Sequence, residues 1–410
     1  MSEMICALDV GTTKVCALIG TLDENHKLRV TGMGRTHSKG LRRGVVVNTA
    51  DATASIGLAI QQAEAAAGVT MDSAYVGIAG AHVTAIGSKS VVAVGRNGRK
   101  ISFDDTQRAL EQARNIALPH NREIINAVAR TYTVDDQQGI QSPIGMFGYR
   151  LEVDASIITG AASAITNLVN CVHDNGLEIE DLVLQPLASA EAVLTDDERQ
   201  AGVALVDIGG GTTDLAIYLE SAPYHTYVLD IGGDHFVRDV ATGLRMPYDK
   251  AEALIKQFGH ALPDQVPVDG EVRARRFGED GQQVINRRLL AEIINARAEE
   301  VIDLVIREVK RSGYDGLLPA GVVLTGGVAQ LTGLTELSRN QLAWPVRLGR
   351  PNGLGASIAD LSSPEYATAV GLLLWGLRRG TQPRVALPPS GPWWEPVVKF
   401  FRRLLPVPTA

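Results

Sequence analysis

The feature that most constrains this chain is a hairpin written twice. Leu8-Asp9-Val10-Gly11-Thr12-Thr13 joins two apolar, β-prone runs, residues 5–10 and 14–20, and a third run follows at 29–34. The layout returns at 204–208, with the turn Gly209-Gly210-Gly211-Thr212-Thr213 and further runs at 214–219 and 227–231. Close-set glycines accompany the third run in both copies, Gly32 and Gly34 in one, Gly232 and Gly233 in the other. So wide a repeat is too long for a solenoid and reads as two related α/β units facing each other. In the first copy an Ala-rich helix is expected over about 52–67, closed by Gly68, then a strand over 74–79.

At 410 residues the chain has room for two or more domains, and 45% hydrophobic with 21% charged residues is an ordinary globular composition. The net charge of −7 argues against a general nucleic-acid binder. Cys6, Cys16 and Cys171 form no metal-like pair and read as buried thiols in a reducing compartment. The N-terminus lacks the basic and apolar regions of a signal peptide, and no apolar run approaches the ~20 residues of a membrane span. Membrane contact is therefore expected to be peripheral.

Between the copies, residues 84–161 alternate charged segments with short strands, at 90–94 and 130–134 among them. A second insert, 245–300, carries Pro247, Pro263, Pro267 and the basic stretch 273–276. A helical run, 288–311, returns to a buried strand at 321–325. After a last helix ending near Leu377, residues 378–392 hold Pro383, Pro388, Pro389 and Pro392 and read as a semi-rigid linker.

Three segments point to chemistry. In Asp9-Val-Gly11-Thr12-Thr13-Lys14, turn amides and hydroxyls can donate to an anion, Asp9 can hold a hydrated Mg2+ beside it, and Lys14 can add a cation. In Asp207-Ile-Gly209-Gly210-Gly211-Thr212-Thr213-Asp214, three consecutive glycines are entropically costly to order and point to close approach of a ligand. The third, Val322-Val-Leu-Thr-Gly326-Gly327-Val-Ala-Gln330, is a buried strand ending in Gly-Gly, where an α/β sheet exposes backbone to a ligand.

In this order the three resemble the phosphate-one, phosphate-two and adenosine motifs of the actin, sugar-kinase and chaperone-ATPase superfamily. The resemblance implies an actin-like α/β fold, with two ribonuclease-H-like domains facing a nucleotide cleft, and ATP with Mg2+ held by Asp9 and Asp207. Segments 182–189 and 369–374 look like its two connecting pieces. By the same resemblance Gln185 orients the attacking water, with Asp9 as its catalytic partner. Glu252 and Lys256 lie near ribose and adenine, although their spacing also suits an i,i+4 ion pair.

Segments 38–47, 79–83 and 194–203 sharpen the resemblance to the FtsA family of bacterial cell-division proteins. It implies four subdomains: 1A (1–83, 162–200 and part of 365–377), 1C (84–161), 2A (201–244, 301–364) and 2B (245–300). It also implies actin-like self-assembly, contact with other division proteins, weak ATPase activity at most, and tethering of FtsZ at the division site. The FtsZ C-terminal peptide is expected on 2B at Arg297 and Glu300, a region divergent here around 263–283.

Residues 393–405 complete the expectation. At ~100° per residue, Trp393, Trp394, Val397, Val398, Phe400, Phe401, Leu404 and Leu405 fill one arc, with Glu395, Lys399, Arg402 and Arg403 opposite. Thirteen such residues reach only ~20 Å and read as a helix lying in the membrane interface; the resemblance implies that this is the cytoplasmic face of the inner membrane. Two other readings remain: a pilus-assembly protein of the PilM type, which shares the fold, and a small-molecule kinase, which needs a carboxylate base at the cleft.

Overall fold

The computed structural model describes residues 4–23, 27–95, 97–278, 281–355 and 361–380. Each hairpin copy anchors a five-stranded sheet. In the first, Met4–Val10, Lys14–Leu22 and Leu28–His37 run antiparallel, and Ser73–Ile78 then Glu178–Leu184 add in parallel beyond Met4–Val10. The second repeats the order with Val203–Ile208, Thr213–Leu219 and Ala222–Leu229 antiparallel, and Val322–Thr325 then Val346–Leu348 parallel. Val203–Ile208 is buried throughout. Strands covered on both faces read as unbroken apolar runs, which is why they were visible in the sequence. The third strand of the second unit occupies Ala222–Leu229 rather than 227–231, because the chain turns at Asp230 into a helix.

Helix α1 (Thr49–Ala67) starts at Asn48, whose side chain accepts from the Asp51 amide, and stops at Gly68 in the left-handed region, φ +70°. It lies on Leu28–His37. A Cβ on Gly32 or Gly34 would strike the carbonyls of Ala63 or Ala59. These glycines therefore serve helix packing, whereas Gly232 and Gly233 open a helix; the two pairs are not equivalent.

The inserts enter the two units at different points. Between the fourth and fifth strands of the first unit stands a four-stranded antiparallel sheet, ordered Gln137–Ile140, Arg122–Val134, Arg150–Ala161 and Thr84–Ala93, backed by α2 (Phe103–Ala113). It has its own core, including Ile101, Ala109, Leu151 and Ile157. Arg122 fastens its base, donating to the carbonyls of His82 (3.0 Å) and Thr159 (2.9 Å). Helices α3 (Ala162–His173), α4 (Gln185–Val193) and α5 (Asp196–Ala201) follow. The second unit is interrupted between its third and fourth strands by α6 (Gly233–Gly243), α7 (Tyr248–Phe258), a hairpin (Glu271–Ala274 with Gln283–Asn286) and α8 (Arg287–Ser312). Helix α9 (Leu334–Leu342) comes next, then α10 (Ala367–Gly380), which stays helical through the first residues expected in the linker.

Helices α4 and α10 form the layer between the sheets. Their Leu187, Ala188, Leu372 and Leu373 share one core with Ala7, Leu8 and Val76 of the first sheet and Val203, Leu205 and Ala216 of the second. The helices touch backbone to backbone at Gly371, where a Cβ would strike the Ala188 carbonyl. Gly371→Ala should therefore lower stability by roughly 1–3 kcal/mol, or more if the crossing cannot relax, as overpacking does. Urea unfolding midpoints check this, and an unchanged midpoint would contradict the close crossing.

Candidate functional site

The two hairpin turns share their strand register and their closing backbone bond. Asp9 pairs across its hairpin with Cys16, and Asp207 with Asp214. Each turn closes on one bond, Gly11 N–H to the Lys14 carbonyl and Gly209 N–H to the Thr212 carbonyl, both 2.9 Å. Residues 11–14 thus correspond to 209–212, so Thr212 stands where the first unit has Lys14. The turns meet head on. A Cβ on Gly210 would enter the Thr13 side chain, and one on Gly211 would lie 2.6 Å from Thr12 Oγ1. Thr12 Oγ1 itself accepts from the Gly44 amide at 2.9 Å, and the neighbouring Arg43 forms an ion pair with Asp230 of the other unit. The second turn is tied to the start of α6 through Gly233 N–H to Gly209 O (2.9 Å) and Asp234 N–H to Gly210 O (2.7 Å).

Behind the turns three carboxyl groups are buried: Asp9, Asp207 and Asp214. The N-terminal halves of α4 and α10 reach them. Gln185 Nε2 donates to Asp9 Oδ1 (3.1 Å); Ser189 Oγ (2.6 Å) and Thr368 Oγ1 (3.4 Å) donate to Asp207 Oδ2. Thr212 Oγ1 donates to Asp214 Oδ2 (3.0 Å), while Asp214 Oδ1 is buried without a hydrogen-bond partner. Burial pushes Asp9 up to about 6; Lys14 pulls it down and Asp207 adds to the rise. Burial and then the Asp207 charge push Asp214 up to about 8. Asp207 is raised by burial, against its bonds from Ser189 and Thr368 and the Lys14 charge. Such a cluster of hard oxygen donors suits a divalent cation. Among the described residues no three His, Cys, Asp or Glu side chains form a ready ligand set, so a cation here would keep much of its water, as Mg2+ does.

The third loop borders the same place. Gly326 has φ +89°, and a Cβ there would strike Asp207 Oδ1. Gly327 follows it, and Gln330 accepts from Ser363 Oγ at 3.1 Å. Helix α7 runs from the second turn, where Tyr248 donates to Asp234 Oδ1 (2.9 Å), towards the segment after the third, where the Ala261 amide donates to the Thr332 carbonyl (2.8 Å). On it Lys256 donates to Glu252 at 2.6 Å, the i,i+4 pair the spacing allowed. Arg297 lies apart from the cleft on α8 and is engaged by Asp239 at 2.6 and 3.0 Å and by Glu300. Trp393, Trp394, Val397, Lys399, Phe400, Phe401, Arg402, Arg403 and Leu404 lie outside the described residues.

Several groups at the site were not singled out from the sequence: Asp214, Ser189, Thr368, Arg35 and Glu365. Asp214 had a readable signal, since Asp207 and Asp214 flank their turn symmetrically and must pair across the hairpin. Arg35 and Glu365, 330 positions apart, had none.

Residues 204–371 match the model of the family described as cell division protein FtsA, and residues 80–159 match that of the SHS2 domain inserted in FtsA. The chain is 40% identical over 377 residues to cell division protein FtsA of Pseudomonas aeruginosa, spanning 92% of this chain and 90% of that one. It is 38% identical over 370 residues to the Neisseria meningitidis protein of that name (90% and 89%), and 31% identical over 381 to that of Escherichia coli (91% and 90%). Among solved structures, the PilM-PilN type IV pilus biogenesis complex aligns with a TM-score of 0.65 at 17% identity, spanning 91% of this chain and 98% of that one. MreB5 of Spiroplasma citri bound to ADP aligns at 0.56 and 14% identity (93% and 99%). These last two establish the actin-like fold alone, and PilM is a structural neighbour rather than a close relative. With the doubled sheet, the inserted domain in the first unit and relatives at this identity over nine-tenths of its length, the chain belongs to the FtsA family of cell division proteins.

Proposed function

We propose that the cleft binds ATP with Mg2+ and that the chain uses it to assemble on the membrane and hold FtsZ at the division site. The observation that carries this is the meeting of two equivalent glycine turns, one from each unit, over three buried carboxyl groups. Gly11, Thr12, Thr13 and Lys14 on one side and Gly209, Gly210 and Gly211 on the other surround one anion with donors, while the buried hydroxyls of Thr212 and Thr213 hold the second turn by donating to Asp214 Oδ2 (3.0 Å) and the Ile231 carbonyl (2.8 Å). Asp9 and Asp207 would hold the cation through water, and it would supply charge neutralisation of the polyphosphate. Gly326, Gly327 and Gln330 face the nucleoside, with Glu252 and Lys256 at its edge. That MreB5 of Spiroplasma citri was crystallised with ADP, on the same fold, supports this use of the cleft.

Gln185, hydrogen-bonded to Asp9, sits where it can orient a water at the terminal phosphate. Its amide is a poor base, so hydrolysis is slow at best. A kinase reading asks for a carboxylate base facing an acceptor, and the carboxyl groups here are buried behind the turns. Arg297 and Glu300 remain the expected FtsZ contacts. Since Asp239 holds Arg297, Glu300 is the freer of the two to meet a peptide.

Gly210→Val should weaken ATP binding at least tenfold while the far-ultraviolet spectrum is kept, because its side chain fills the space between the turns. Calorimetry checks this, and unchanged affinity would remove the phosphate assignment.

Asp214 and Asp9 have folded-state values above their unfolded ones. Their contribution to stability is therefore present below about pH 4 and is lost as pH rises towards 8. In EDTA, without nucleotide, Asp214→Asn should flatten that loss and leave the protein more stable at pH 8, by on the order of 2 kcal/mol. Urea midpoints at pH 5 and pH 8 measure it; parallel losses in both proteins would contradict the burial argument.

A short helix with three cations against one anion in residues 393–405 binds a bilayer weakly, but many copies on one filament bind tightly, each later contact being intramolecular. Phe400→Glu should release the protein from anionic vesicles and leave ATP binding unchanged. Co-sedimentation with and without ATP tests this, and equal pelleting of the two proteins would rule out the helix as anchor.

A further inference from the structure

Lys14, the only cation on either turn, does not point into open space. Its side chain is 13% exposed. Its ammonium donates to the Glu365 carbonyl, lies 3.8 Å from the Glu365 carboxylate, and sits over the Tyr366 ring, 4.4 Å from the centroid. Glu365 is shared. Arg35 grips the same carboxylate with both ends of its guanidinium, at 3.2 and 3.0 Å, and donates to Tyr366 Oη at 2.7 Å. The short turn Pro364–Tyr366 that carries Glu365 is bonded to the third loop, where Gly326 N–H (3.2 Å) and Thr325 Oγ1 (3.4 Å) donate to the Pro364 carbonyl.

A largely buried ammonium needs a counter-charge, and Glu365 provides one beside the turns. A polyphosphate arriving between the turns brings the same kind of charge to the same lysine. Two anions then compete for one cation, and the loser is left as like charge beside the winner. Arg35 is placed to take Glu365 when Lys14 lets go, because it already holds both carboxylate oxygens in a fork geometry.

We propose that Glu365 is an internal stand-in for the nucleotide's phosphates: it neutralises Lys14 in the empty cleft, and is handed to Arg35 when a polyphosphate binds. This rests on the nucleotide reading given above. Glu365 is thus a positioning residue that sets how tightly phosphates are held, working against affinity, and Arg35 works for affinity through it. The ligands concerned are di- and triphosphate nucleotides; a nucleoside without phosphates does not engage the exchange.

The test is calorimetry on the full chain with Mg2+ and ATP, and separately with adenosine. Glu365→Gln keeps the shape and removes the charge. It should tighten ATP binding roughly three- to tenfold, the scale of a partly exposed ion pair, and leave adenosine binding unchanged. Arg35→Gln should weaken ATP binding by a similar factor. The double variant should return to the affinity of Glu365→Gln, since Arg35 has nothing left to hold. Unchanged or weaker ATP binding by Glu365→Gln would overturn the proposal, as would a double variant that stays as weak as Arg35→Gln, which would make Arg35 a plain attractor of phosphate. Circular dichroism of each variant confirms folding. A parent protein that binds no ATP would instead sink the nucleotide reading itself, a failure distinct from these.

Discussion

Three carboxyl groups buried at one point are the constraint on which the molecule is built. Asp9 comes from the first sheet, and Asp207 and Asp214 come from the second. The partners that make the burial tolerable, Gln185, Ser189 and Thr368, come from α4 and α10, the helices between the sheets. A charged or half-satisfied group costs several kcal/mol in such a place unless something compensates it. The fold therefore concentrates these carboxyl groups where a cation and an anion can compensate them. The insert in the first unit, by contrast, has a core of its own, whereas that in the second unit shares the core of its sheet and meets the glycine turn at the start of α6.

The contact between Gly371 and Ala188 belongs to the same design. Helices that carry the site's hydroxyls must lie close enough to reach both sheets, and a small residue at their crossing allows it. The same economy of side chain lets α1 lie on Gly32 and Gly34. Glycine thus serves two unrelated purposes in this chain: exposing backbone in the turns, and thinning the layers elsewhere.

This double use explains what was legible in the sequence. The turns were readable because hairpin spacing and consecutive glycines are local properties. The buried central strands were readable as unbroken apolar runs. Gly32 and Gly34 looked like the counterparts of Gly232 and Gly233 because a sequence does not say what a glycine is pressed against. The strand expected at 227–231 lies at Ala222–Leu229, and it includes Pro223 because it is the edge strand of its sheet, where one missing amide is tolerated. Glu365 and Arg35 meet only because α10 returns to the first strands, and no local pattern announces that return.

That return has a consequence for how the protein comes into being. Helix α10 covers the sheet begun by Met4–Val10, but it is encoded at residues 367–380. A chain emerging from the ribosome at ~5–20 residues per second carries its first sheet without this cover until the whole of the second unit has been made. Over that interval the apolar face of the first sheet is a standing invitation to mispairing, and a truncated product never closes it. The first unit is therefore sealed only after the second has been made, and the segment that reads as a membrane helix emerges after α10.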